Sequence, residues 1–182
     1  MTPEECLKIP PSLYGGHLTD GALGAVFYGT MHGEDIWLSR GIRTEDWVPA
    51  FVKEFCTYQL PYLYLNRYGR TALTKEADGS FRAVFTDGVE STGADRAIRK
   101  NGIVLKEGGD VILPLTEDNR VFVAYSENGR SGRWNMPDAA FAEAAVSDIT
   151  PDGNRFLFSR PVTGGGIELA LGPGEAVVIE AG

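Results

Sequence analysis

His32, Glu34 and Asp35 form the tightest group of titratable side chains in the sequence, and Trp37 closes the same loop. An imidazole beside two carboxylates could move protons or grip the hydroxyls of a sugar, with the indole as a flat apolar wall. The loop follows Gly24-Ala-Val-Phe-Tyr-Gly29, a short apolar run that reads as a strand buried on both faces. Loops that follow such strands are where α/β folds build their sites. His32, Glu34, Asp35 and Trp37 are therefore the candidate substrate-binding residues. A second reading stays open, in which the acids of a solvated loop face water and Trp37 packs inward.

Other chemistries lack their residues. One His with two adjacent acids is not a metal set, because neighbours in a loop seldom point at one ion, and His17 stands alone. No Ser sits in Gly-x-Ser-x-Gly, no Cys has a recognisable His partner, and no Gly-rich loop leads into a helix carrying Lys and Ser/Thr. Gly164-Gly-Gly166 joins two strand candidates and reads as a hairpin loop. Cys6 and Cys56 lack the spacing of a zinc site or a disulfide framework, so both are expected to be free thiols. No metal and no cofactor is expected, and no catalytic carboxylate pair can be named.

The composition bounds the partners. Hydrophobic residues make up 43% and charged residues 23% of the 182, as in ordinary globular domains. A formal charge of −8, with no basic run longer than Arg99-Lys100, would repel a phosphate backbone, which argues against nucleic acid. The longest apolar-leaning window, residues 21–29, is too short to span a bilayer, so no membrane partner is expected. The opening Met-Thr-Pro-Glu-Glu-Cys has acids where a signal peptide has a positive region, and it predicts no secretion signal and a soluble chain.

The elements that must position these residues fall into two textures, divided near Gly69 to Leu73. In residues 1–72 the buried strand and its loop precede a helix over Thr44–Tyr58, capped by Thr44 or Asp46, with Trp47, Phe51, Val52 and Phe55 on one face. Pro61 ends or kinks that helix, and Tyr62-Leu-Tyr-Leu65 fits either a strand or a short second helix. In residues 73–182 β-favourable runs alternate with turn clusters every eight to twelve residues, as in a sandwich. The predicted strands are Phe81–Phe85, Ile103–Lys106, Val111–Leu115, Val121–Tyr125, Arg133–Met136, Val146–Ile149, Arg155–Phe158, Ile167–Leu171 and Ala176–Glu180. Asp87-Gly88, Asn101-Gly102, Asn128-Gly129 and Gly172-Pro-Gly174 supply the turns, and alanine-rich Asp138–Ala145 reads as a helical turn or long loop. The fold class is mainly β: an antiparallel β-sandwich preceded by a small α/β remnant.

Exposed aromatics could also bind carbohydrate, with Trp37, Trp47, Trp134, Tyr62, Tyr64 and Tyr68 as candidates, and core packing as the competing role of each. Alternation in the strand around Trp134 places Trp134 and Met136 on one face and Arg133 and Asn135 on the other. Trp134 is expected inside.

The order Tyr62-Leu-Tyr-Leu-Asn-Arg-Tyr68, Phe85-Thr-Asp-Gly-Val89, Gly108-Gly-Asp-Val-Ile-Leu-Pro114, Val121-Phe-Val-Ala-Tyr-Ser126 and Arg133-Trp-Asn-Met-Pro137 resembles the C-terminal part of certain retaining glycoside hydrolases, those of the endo-alpha-N-acetylgalactosaminidase-like group. The closing run Ile167 to Glu180 is similar to the final hairpin of glycosidase accessory sandwiches. The resemblance covers Gly24 to Gly182 and implies the end of a (β/α)8 barrel leading into a β-sandwich. A full barrel needs about 250 residues, so no catalytic carboxylate carries over. It also makes the Trp47–Tyr58 helix a barrel helix without neighbours, and predicts self-association through this N-terminal apolar helix. The leading expectation is a C-terminal, accessory-sandwich fragment of a glycoside hydrolase-like protein, inactive alone. The alternatives are a free-standing carbohydrate-binding or protein-interaction module, and, last, a small enzyme using Glu34 or Asp35.

Overall fold

A computed structural model describes residues 52, 53, 55–150 and 153–182. The predicted strand Gly24–Gly29, the loop with His32, Glu34, Asp35 and Trp37, and the helix positions Trp47 and Phe51 lie outside the described residues.

The described chain enters as helix. Val52 and Lys53 are helical, Phe55–Gln59 forms a π-helical turn, and α1 spans Leu60–Leu65. Pro61 sits in the first turn of α1, where its missing N–H costs nothing. Of the two forms open to Tyr62-Leu-Tyr-Leu65, the helix is the one adopted.

Twelve strands follow: β1 (Arg70–Lys75), β2 (Phe81–Phe85), β3 (Val89–Thr92), β4 (Ala97–Lys100), β5 (Ile103–Glu107), β6 (Asp110–Pro114), β7 (Val121–Ser126), β8 (Arg130–Asn135), β9 (Glu143–Thr150), β10 (Gly153–Pro161), β11 (Gly166–Leu171) and β12 (Glu175–Ala181). Every predicted strand is present within a residue or a few of its expected ends, and the fold is mainly β. Three strands were not expected. β1 is exposed throughout and β3 and β4 are four-residue segments, so none carries a strong apolar alternation. The expected turn or loop over Asp138–Ala145 is extended from Glu143 onward, because Ala144 and Val146 are core residues of β9.

Ten strands form one antiparallel sheet in the order β1-β2-β3-β4-β5-β6-β7-β12-β9-β10, and β11 pairs with β8 in a separate ribbon. The hairpins up to β7 are local. Asn101 and Gly102, both at positive φ (50° and 79°), make the β4–β5 turn that Asn-Gly predicts. The order β7-β12-β9 instead depends on the last strand inserting between two earlier ones.

The central strands are buried on both faces. Val123, Tyr125, Val111, Leu113, Ala176 and Val178 face one core together with Val52, Cys56, Tyr58, Leu60, Tyr64 and Leu65 of the helical segment. Phe122, Ala124, Ile112, Val177 and Ile179 face a second core that the β8–β11 ribbon covers through Trp134, Ile167, Leu169 and Leu171. The ribbon and sheet make the sandwich. The described end of the apolar helix thus has the sheet as its neighbour, with Phe55 packed against the first core.

Candidate functional site

Of the aromatics considered as sugar platforms, Trp37 and Trp47 lie outside the described residues, and Trp134 and Tyr64 are buried. Trp134 is 0% exposed, as its strand alternation requires, with the Arg130 guanidinium 4.3 Å from its ring centre. Tyr64 is buried, and Tyr62 and Tyr68 are half-buried against the first core. Cys56 is a free, buried thiol whose pKa burial pushes up to about 12, so it is no nucleophile at neutral pH.

The densest polar group joins α1, β4 and the segment after β8. Lys100 Nζ donates to Asp138 Oδ2 at 2.7 Å and to the Tyr68 hydroxyl at 3.4 Å, and lies 5.3 Å from the Tyr68 ring centre. Burial works against the Lys100 charge, but the hydrogen bond to Asp138 and the neighbouring Tyr68 leave its pKa above the ordinary value. Tyr68 stands edge-on to Tyr64 with centroids 5.3 Å apart. Arg67 lies 5.9 Å from the Tyr64 ring centre and donates to the carbonyls of Pro114, Leu115 and Thr116. Lys100, Asp138, Tyr68 and Arg67 are engaged by one another or by backbone carbonyls, so the cluster works as a latch between helix and sheet, while the buried Tyr64 hydroxyl has no hydrogen-bond partner among the described residues.

A second latch is Lys106, which is 2% exposed and donates from Nζ to the carbonyls of Arg96 and Gly108, both at 2.9 Å. Burial lowers its pKa to about 8. A neutral amine still carries two hydrogens, enough for both carbonyls. Several acids are similarly occupied: Asp110 accepts from Ser126 Oγ at 2.7 Å, Asp95 pairs with Arg99 at 2.6 Å, and Glu90 pairs with Arg82 at 2.7 Å. Among the described residues no group of three or more His, Cys, Asp or Glu could hold a metal ion, and no helix is long and apolar enough to cross a membrane.

The surface that stands apart is β10. It is exposed along all of Gly153–Pro161 and forms one edge of the large sheet. Phe156, Leu157 and Phe158 are 61%, 40% and 37% exposed. Three consecutive large apolar side chains at an open edge are what natural sheets ordinarily avoid. Their orientation follows from a bulge. Phe156 opposes Ser147 and Phe158 opposes Val146, so Leu157 is the extra residue. Ser147 and Val146 are adjacent in β9 and point to opposite faces, Ser147 aligning with Val178 of the first core and Val146 with Ile179 of the second. The two phenylalanines therefore project from opposite faces of the edge.

The same registers place Asn154, Phe156 and Ser159 on the first core's side, and Arg155, Phe158 and Arg160 on the second's. Arg155 pairs with Asp148 at 2.7 Å, and the Arg160 guanidinium lies 5.1 Å from the Phe158 ring centre. The run Arg155–Phe158 was legible as a strand. Its position at an edge and its bulge were not, because both depend on which strands pair.

No family model and no curated protein matches the chain.

Proposed function

We propose that the described part of the chain is a protein-interaction module rather than a catalytic domain, the alternative that the sequence left beside an accessory sandwich, and that β10 is its contact surface for protein. The observation that carries this reading is the edge of β10, unpaired among the described residues, with Phe156, Leu157 and Phe158 exposed on it. Among the described residues, Trp134 and Tyr64 are buried and Tyr62 and Tyr68 pack half-buried against the first core, and Phe156 and Phe158, on opposite faces, cannot form one flat sugar platform. The large polar clusters near α1 and β5 are occupied by their own hydrogen bonds.

The test compares the two sheet edges on arrays of nine-residue peptides and of glycans. The full chain is expected to bind a subset of peptides, the double variant Phe156→Ser, Phe158→Ser to lose that binding, and Leu73→Ser on β1 to retain it. Binding confined to glycans, or peptide binding indifferent to β10, would overturn the reading. In the same preparation, aryl glycosides should show no release of sugar. Turnover abolished by Glu34→Gln or Asp35→Asn would restore the small-enzyme alternative.

A further inference from the structure

Resting on that reading of β10, the geometry points to a definite partner chemistry and mode: an extended segment of another protein that adds to the sheet as a strand beside β10, with acidic residues on one face and apolar residues on the other. An edge strand offers unpaired backbone N–H and C=O groups along its outer side, and β10, nine residues long, has no partner on that side among the described residues.

The side chains argue for edge addition over docking onto one face. An incoming strand sends alternate side chains to the two faces of the sheet, and β10 has one exposed phenylalanine for each. A ligand lying on a single face would meet only one of them. The bulge at Leu157, a device that often protects an edge, here puts the two rings on opposite sides.

Charge selects the partner's pattern. The only ionised side chains of β10 are Arg155 and Arg160, in a chain of net charge −8, and both lie on the same face, flanking Phe158. Arg155 is already paired with Asp148, whereas Arg160 makes no ion pair with any described residue. The fitting strand carries acids at two positions of one parity around an apolar residue, and apolar or small neutral residues at the other parity. A second copy of β10 fits poorly, because an antiparallel pair would gather four arginines into one two-stranded ribbon.

The experiment uses the full chain and a synthetic peptide, acetyl-Ser-Thr-Glu-Val-Val-Val-Glu-Thr-Ser-amide, labelled for fluorescence anisotropy. Four control peptides accompany it: lysines in place of both glutamates, the glutamates moved to the fourth and sixth positions, and N-methylation of alternate backbone amides in each of the two registers. Saturable binding of the parent peptide is expected. Lysine replacement should weaken it about tenfold or more, as should Arg160→Gln when the parent peptide is used. N-methylation in one register should abolish it, since that removes the donors of the new ladder. Phe156→Ser, Phe158→Ser should also abolish it without altering the melting temperature by more than a few degrees.

Binding lost in the phenylalanine variant but indifferent to N-methylation in both registers would overturn strand addition while leaving β10 as the contact surface. Equal binding of acidic and lysine peptides would overturn the charge assignment. No peptide binding in any form, with sedimentation showing a dimer that Phe158→Ser dissolves, would replace the proposed partner by a second copy. No binding and a strict monomer would overturn both this inference and the reading beneath it.

Discussion

The two ends of the ten-stranded sheet differ in length, chemistry and support. β1, at one end, is a six-residue strand with Arg70 and Lys75 at its ends and Leu73 as its one large apolar side chain. Its neighbours β2 to β5 are four or five residues long and are stitched by polar contacts: Arg82 with Glu90, Arg99 with Asp95, and Lys106 across two turns. β10, at the other end, is nine residues long, pairs with an eight-residue partner, and exposes Phe156, Leu157 and Phe158. Short strands with charged ends discourage pairing with a stranger, whereas a long apolar edge accepts it. On the proposed reading one sheet has a closed end and a receptive one, and the difference lies in side chains, since neither edge has a further partner among the described residues.

The largest effect should come from the core that holds the receptive end in place. Trp134→Ala is expected to cost about 3–5 kcal/mol in denaturant unfolding, because the indole is wholly enclosed by the second core. A loss below about 1 kcal/mol would mean that the β8–β11 ribbon does not hold that core.

Next comes the polar stitching of the closed end. Lys106→Met should destabilise by roughly 2–3 kcal/mol near neutral pH, since it leaves the Arg96 and Gly108 carbonyls without their donor. The pH dependence has a definite sign. The folded pKa of about 8 lies below the ordinary 10.5, so between these values the unfolded chain binds more protons and deprotonation favours the fold. Wild-type stability should therefore rise relative to Lys106→Met from about pH 8 to about pH 10, and level off below about pH 8, where Lys106 is protonated in both states. A difference flat across that window would mean that Lys106 keeps an ordinary pKa in the folded state.

Smaller still is the effect of Phe156→Ser, Phe158→Ser on folding, expected below about 1 kcal/mol because neither ring belongs to a core. A loss as large as that of Trp134→Ala would show that the rings support the sheet, and the contrast between the two ends would collapse. At the bottom of the scale, Arg82→Ala should leave the melting temperature unchanged within error, because its pair with Glu90 is exposed at the surface.

Particular residues show how far the sequence could be read. Asn101-Gly102 and Asp87-Gly88 announced their turns because few residue pairs accept positive φ, and both sit where the hairpins close. The Trp134–Met136 alternation placed a buried side chain correctly because a period of two leaves a strand no other choice once one face is apolar. β4 was not recognised, since Ala97-Ile-Arg-Lys100 shows its apolar residues side by side rather than alternating; Ala97 and Ile98 are both buried there. Among the aromatics, Tyr64 could not be assigned to core or surface, because that depended on the sheet lying against α1.

The sequence by itself determined the places of nine of the twelve described strands, several of their turns and the inward face at Trp134, because these follow from residue-by-residue backbone preference and from periodicity within a few residues. Only the tertiary structure decided that β12 runs between β7 and β9, that β10 is left at an edge, and that a one-residue bulge sends Phe156 and Phe158 to opposite faces. Those outcomes depend on pairing between strands far apart in sequence, where local pattern carries no information about which neighbour a strand will find.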